Sequence, residues 1–126
     1  MKKFQSTNFQ KSLLYALNGL RLAFSSQRNF RKHLVIASIM LIIASVLKVG
    51  VLEFCMVIFL NGFVLVVEMM NSVIEFVIDA YYKTKWAKLA KLSKDIAAGA
   101  VLLSACMSAF ICAIIFAVRI YQIYYE

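Results

Sequence analysis

Three long apolar stretches, separated by short charged ones, set the pattern of the chain. The first covers residues 34–52 and is interrupted only by Lys48, close enough to its end for the ammonium to reach an interface. The second covers 54–78. Its first half is broken only by Asn61, and its second half carries Glu68, Asn71 and Glu75. The third, 96–118, holds no charge and is closed by Arg119. A hydrocarbon core of about 30 Å takes roughly 20 apolar residues in helix, so each stretch predicts a membrane-crossing helix. In runs this long, helix is the element that satisfies its own backbone.

Residues 1–32 follow a different period. Phe9, Leu13, Leu17, Leu20 and Phe24 recur every three or four positions, with Lys11, Arg21 and Arg28 supplying charge. This pattern predicts an amphipathic helix lying in the membrane surface rather than crossing it. A cleaved leader is not expected, because the basic stretch before the first apolar run is too long.

Composition sharpens this picture. The chain has 126 residues, 63% of them hydrophobic and 16% charged, with a mean hydropathy of +0.84. That balance is too apolar for a water-facing domain of this size, and predicts a single all-α integral-membrane domain over residues 1–126. The net charge of +8 would suggest a nucleic-acid partner in a soluble protein. The positions of the charges exclude that reading, because they lie between apolar spans. Of the fourteen basic residues, all but Lys48 and Arg119 lie before Leu34 or between the second and third spans. The positive-inside bias therefore predicts a cytoplasmic N-terminus and an external C-terminus. Cys55, Cys106 and Cys112 form no CxxC pair and sit in apolar runs, as small hydrophobes do. A lone His33 makes no histidine metal cluster.

Ionisable groups inside a span are costly and raise a functional question. At about 100° per residue, Glu68, Asn71, Glu75 and Asp79 fall near 0°, −60°, −20° and +20° around their helix. They form one stripe. A polar seam between helices is one reading, but such seams are usually built of amides and hydroxyls. Acids on one face repel unless a cation or proton lies between them, which favours a site. A cation or proton pathway lined by the acids is another reading. A pathway stripe should run the whole depth of the bilayer, whereas these acids stop in the half nearer the second connection. There they share a level with Lys94 and Asp95 on the side expected to contain ATP. Carboxylates with an amide suit Mg²⁺, and lysine suits phosphate charge. Phosphoryl transfer needs these parts, although no Walker A or glycine-rich kinase loop is present.

The stretch Glu68-Met69-Met70-Asn71-Ser72-Val73-Ile74-Glu75, with Asp79 after it, resembles the signature of the small prokaryotic diacylglycerol kinase/undecaprenol kinase family. So do Lys94-Asp95-Ile96-Ala97-Ala98-Gly99-Ala100-Val101, Gly19-Leu20-Arg21 and Asn29-Phe30-Arg31-Lys32-His33. The resemblance implies a homotrimer of three-span protomers in the bacterial inner membrane, moving the γ-phosphate of MgATP onto a membrane lipid alcohol. It implies that Glu68 is the general base for the lipid hydroxyl. Beside it, Ser72 suits either a substrate contact or a bond back within its own helix. The small residues Ala97, Ala98, Gly99 and Ala100 suit close helix packing first and approach of the lipid hydroxyl at Ala98 second. Glu75 would ligate Mg²⁺ with support from Asn71. Lys94 would contact the phosphates, and Asp79 and Asp95 would shape the nucleotide side. The form of the Ala97–Ala100 block and of the Asn-Phe-Arg-Lys-His stretch resembles the undecaprenol branch more than the diacylglycerol branch.

The chain departs from the resemblance at Gln27. The family usually places a metal-binding glutamate there, and no acid occurs before Glu53 to replace it. Gln27 either ligates Mg²⁺ as a neutral amide on the nucleotide side, leaves the task to another acid, or is an ordinary surface residue. Tyr81, Tyr82 and Trp86, in the second connection, suit an interfacial aromatic belt or a stacking surface for adenine.

Overall fold

The computed structural model describes residues 8–83 and 85–125. It consists of four helices in chain order: α1 (Phe9–Ser26), α2 (Arg28–Val46), α3 (Val51–Tyr82) and α4 (Lys88–Tyr125). The last three are long and apolar enough to cross a membrane. The protein is an all-α membrane protein with one shorter helix ahead of its spans.

In α1 only Ala23 is buried, and Leu13, Leu17, Leu20 and Phe24 are each about half exposed. Among the described residues this apolar face is left largely uncovered, as an interfacial helix requires. The helix stops because its last carbonyls are taken by side chains. Ser25 and Ser26 both donate their hydroxyls to the carbonyl oxygen of Leu22. The Arg31 guanidinium donates to the carbonyls of Phe24 and Ser25 at 2.8 and 2.9 Å. Those are orphan acceptors of a helix end, and a cation is the favoured donor there. Gln27 then takes an extended conformation, φ −101° and ψ 105°, and α2 begins at the next residue. The first spanning helix thus starts well before the apolar run at 34, and Arg28, Arg31 and Lys32 form its first turns.

At its far end α2 stops at Val46, short of the apolar run's limit at 52. Lys48 adopts φ 51°, its N–H donates to Ser45, and the Val49 N–H donates to Ala44. This is the Schellman arrangement, with lysine where glycine is the usual residue. Arg119 of α4 closes the corner by donating from Nε to the carbonyl of Leu47 at 3.0 Å. Val51 and Leu52, apolar as they are, belong to α3.

Helices α3 and α4 contain 32 and 38 residues. At about 1.5 Å per residue both outreach a hydrocarbon core of about 30 Å. They meet along two rows spaced three and four apart: Val57, Asn61, Val64, Glu68 and Ser72 on α3, and Ala97, Val101, Ser104, Ser108 and Cys112 on α4. Small side chains allow the backbones to approach closely. Ala44 of α2 joins Val57 and Cys112 in the most fully buried cluster, near the α2–α3 turn. Only 17–22% of each span's most apolar window is buried within the chain, so lipid or further protein must cover the rest.

Candidate active site

The polar stripe of α3 begins inside the protein and ends in solvent. Glu68, Asn71 and Ser72 are 3%, 6% and 4% exposed, Glu75 is half-buried, and Asp79 is exposed. From Glu68 to Asp79 is about 16 Å along the axis. Two of these groups are held locally. Ser72 donates its hydroxyl to the Glu68 carbonyl at 3.0 Å. Asn71 donates Nδ2 to Glu75 Oε1 at 3.2 Å, which leaves its own Oδ1 buried and without a hydrogen-bond partner among the described residues.

A buried acceptor left unpaired costs about 1–3 kcal/mol. Here the orphan oxygen lies on the residue that holds Glu75, so an amide oxygen and a carboxylate are brought to one place. Hard oxygen donors of this kind fit Mg²⁺, which keeps several waters and takes one or two protein carboxylates beside substrate phosphates. Among the described residues no three of His, Cys, Asp and Glu gather into a metal cluster. A single chain therefore offers a thin, oxygen-only donor set, of the kind suited to a metal that arrives with phosphates.

Asp79 leads to α4, accepting a 2.5 Å ion pair from Lys94. Lys91 pairs with Asp95 one turn along α4, also at 2.5 Å. Beside these pairs runs a groove between the end of α3 and the start of α4. Asp79, Tyr82, Lys83, Trp86, Lys91 and Lys94 line it. Tyr82 packs edge-on against Tyr81 with ring centroids 4.9 Å apart, and Trp86 is 79% exposed. The groove offers lysines for anionic oxygens and aromatic faces for a planar ring. Lys83 and Lys85 entered the sequence argument only as topology charges. Their place in the groove follows from the turn after Tyr82, which hydropathy does not describe.

Two expected site residues lie apart from this cluster. Gln27 donates Nε2 to Ser26 Oγ at 3.2 Å, at the junction of α1 and α2. Ala98 is exposed on α4, whereas its neighbour Ala97 faces α3.

A buried carboxylate deep in the helical bundle, an amide–carboxylate pair and a lysine-aromatic groove thus follow one another along α3 and the start of α4. Residues 14–116 match the sequence profile of prokaryotic diacylglycerol kinase. The chain belongs to that family, and so to a class of membrane-embedded lipid kinases. A diacylglycerol kinase of Synechocystis sp. is 36% identical over 98 residues, 78% of this chain but only 56% of the relative's own length. The undecaprenol kinase of Bacillus subtilis is 33% identical over 108 residues, covering 86% of this chain and 87% of that protein. A diacylglycerol kinase of Helicobacter pylori is 34% identical over 101 residues, covering 80% and 78%.

Proposed function

We propose that the protein transfers the γ-phosphate of MgATP to undecaprenol, working as a homotrimer in the bacterial inner membrane with its N-terminus in the cytoplasm. The observation that carries the chemistry is the gradient along α3, from buried Glu68 to the Asp79–Lys94 pair at the groove. A lipid hydroxyl stays at the depth of Glu68, while a water-soluble nucleotide can enter the groove. The Glu68 carboxylate accepts the hydroxyl proton as the lipid oxygen bonds to the γ-phosphorus and ADP departs with the electron pair of the broken bond. Lys94 and Lys91 neutralise phosphate oxygens, and Tyr82 or Trp86 stacks on the base. Ser72 and Ala98 border the lipid. Asp95 orients Lys91 through their ion pair. Glu75, Asn71 and, through the trimer, Gln27 would hold Mg²⁺, which when bound would offset the charge that builds on the transferring phosphate.

The choice of undecaprenol is supported by the near full-length correspondence with the Bacillus subtilis undecaprenol kinase. Diacylglycerol is the second reading, supported by the names of the Synechocystis and Helicobacter pylori relatives. Radiolabelled ATP incubated with purified protein and each lipid alcohol in one detergent separates the two. The expected result is a several-fold higher kcat/KM for undecaprenol, and the reverse order reassigns the substrate. No organic-soluble label with either lipid would remove the kinase reading.

A further inference from the structure

Helix α4 outruns the rest of the fold at the end where α2 turns into α3. Arg119 marks the level of that turn, since its Nε donates to the Leu47 carbonyl at 3.0 Å. Lys48 lies in the turn and Glu53 in the first turn of α3. Charges clustered at one end of a set of spans settle at the edge of the hydrocarbon. Beyond Arg119 the helix continues through residues 120–125, which is about 9 Å of axis. The headgroup zone on one side of a bilayer is about 5–8 Å thick. The extension therefore passes through that zone.

Its composition is unusual for a helix end in water. Residues 120–125 are two isoleucines, three tyrosines and Gln122, with no charge. Gln122 is turned toward the corner, accepting from Arg119 Nη1 at 3.3 Å. The tyrosines point away from it: Tyr121, Tyr124 and Tyr125 are 64%, 80% and 76% exposed. With Ala117 and Ile120 they line a shallow groove along one side of the helix. Tyr121 and Tyr125 stack within it, ring centroids 4.6 Å apart.

We infer that residues 120–125 are an interfacial anchor, whose groove packs against the glycerol and headgroup region of phospholipids in the leaflet at the α2–α3 turn. Tyrosine suits that zone, because its ring is apolar and its hydroxyl can donate to ester and phosphate oxygens. The level of Arg119 selects lipid as the occupant, since the groove begins where the hydrocarbon ends. An anchor has a purpose here. At about 57 Å, α4 is far longer than a hydrocarbon core of about 30 Å, so its length alone does not fix its depth or tilt. Tyrosines held at one interface do. The anchor lies at the membrane face opposite α1 and the α3–α4 groove, and owes nothing to the kinase reading.

The test places a single indole in the groove of the full-length protein. Trp86→Phe removes the native one, and Tyr124→Trp supplies the probe. The variant is reconstituted in phosphatidylcholine vesicles carrying a nitroxide either on the headgroup or deep in the acyl chain. Circular dichroism and the elution profile show that it is folded. The headgroup nitroxide should quench the indole about twofold or more over the deep one, as for a side chain held at the interface. Adding Tyr121→Ser/Tyr125→Ser should remove most of that preference. Stronger quenching by the deep nitroxide would place the helix end in hydrocarbon. Quenching by aqueous acrylamide and by neither lipid would place it in water, and quenching by none of the three would place it against another protein copy. Each of these overturns the anchor, as does a preference unchanged by the two serines.

Discussion

The two ends of the α3–α4 pair are built from the same kind of helix and treat their polar groups in opposite ways. At the end near the α2–α3 turn, each polar atom we have described is satisfied within the fold. The Schellman bonds take the α2 carbonyls of Ala44 and Ser45, Arg119 takes that of Leu47, and Asn61 donates back to Val57 at 2.8 Å. Ala44, Val57 and Cys112 fill the space between the helices at 0–1% exposure. At the connection end, burial is combined with open chemistry. Glu68 is enclosed, Asn71 keeps an unused acceptor, and four lysines border a groove. Closed polar groups stiffen a bundle, whereas open ones are held ready for something that arrives.

The largest effect expected from this contrast is all-or-none. If the connection end faces ATP, residues appended after Glu126 should be labelled only from the external face, by the distribution of basic residues. A reporter that works only in the cytoplasm and is active at that position would invert the molecule and separate the groove from its nucleotide.

Next in size is Glu68→Gln. It removes the proposed base and also a buried charge, so the fold should persist. Turnover should fall on the order of 10²-fold or more, with thermal unfolding in detergent at or above the wild-type temperature. Activity near wild type would move the base elsewhere on the stripe.

The counterpart at the closed end is Ala44→Leu, which forces a larger side chain against Val57 and Cys112. Overpacking of this kind costs about 1–3 kcal/mol, so unfolding should come at lower temperature while the KM for ATP stays unchanged. A variant as stable as wild type would show that the turn end has slack. Arg119→Gln is milder, removing one charge-assisted donor from the Leu47 carbonyl. A loss of about 1 kcal/mol is expected, with little change in kcat. A large loss of kcat would join this corner to the chemistry.

The sequence made the spans legible because hydropathy reports depth directly, and the 3–4 spacing of Glu68, Asn71 and Glu75 reports a shared face. It did not show where the helices end. The apolar run to residue 52 passes straight through a turn, since Lys48 takes a conformation that glycine usually signals. The elbow at Gln27 was equally silent, because it depends on Arg31 reaching back across a turn to Phe24 and Ser25, which no local period records. The groove that joins Lys83 and Trp86 to Lys94 is tertiary in the same sense.

The smallest effect lies at that elbow. Gln27 occupies the position where the family resemblance calls for a glutamate, and its amide rests on the Ser26 hydroxyl. That contact is exposed, and Ser26 already donates to Leu22 at 2.7 Å, so a carboxylate at 27 loses little locally. The extended backbone at this residue also accepts glutamate without strain. What changes is the charge offered to a hard cation, for which a carboxylate is the stronger ligand. Gln27→Glu should therefore lower the Mg²⁺ concentration for half-maximal activity several-fold, while the KM for the lipid alcohol and the unfolding temperature stay within error. Titration of Mg²⁺ at saturating ATP reads the first quantity. An unchanged Mg²⁺ requirement would take Gln27 out of the metal site and leave Glu75 and Asn71 as the donors from this chain.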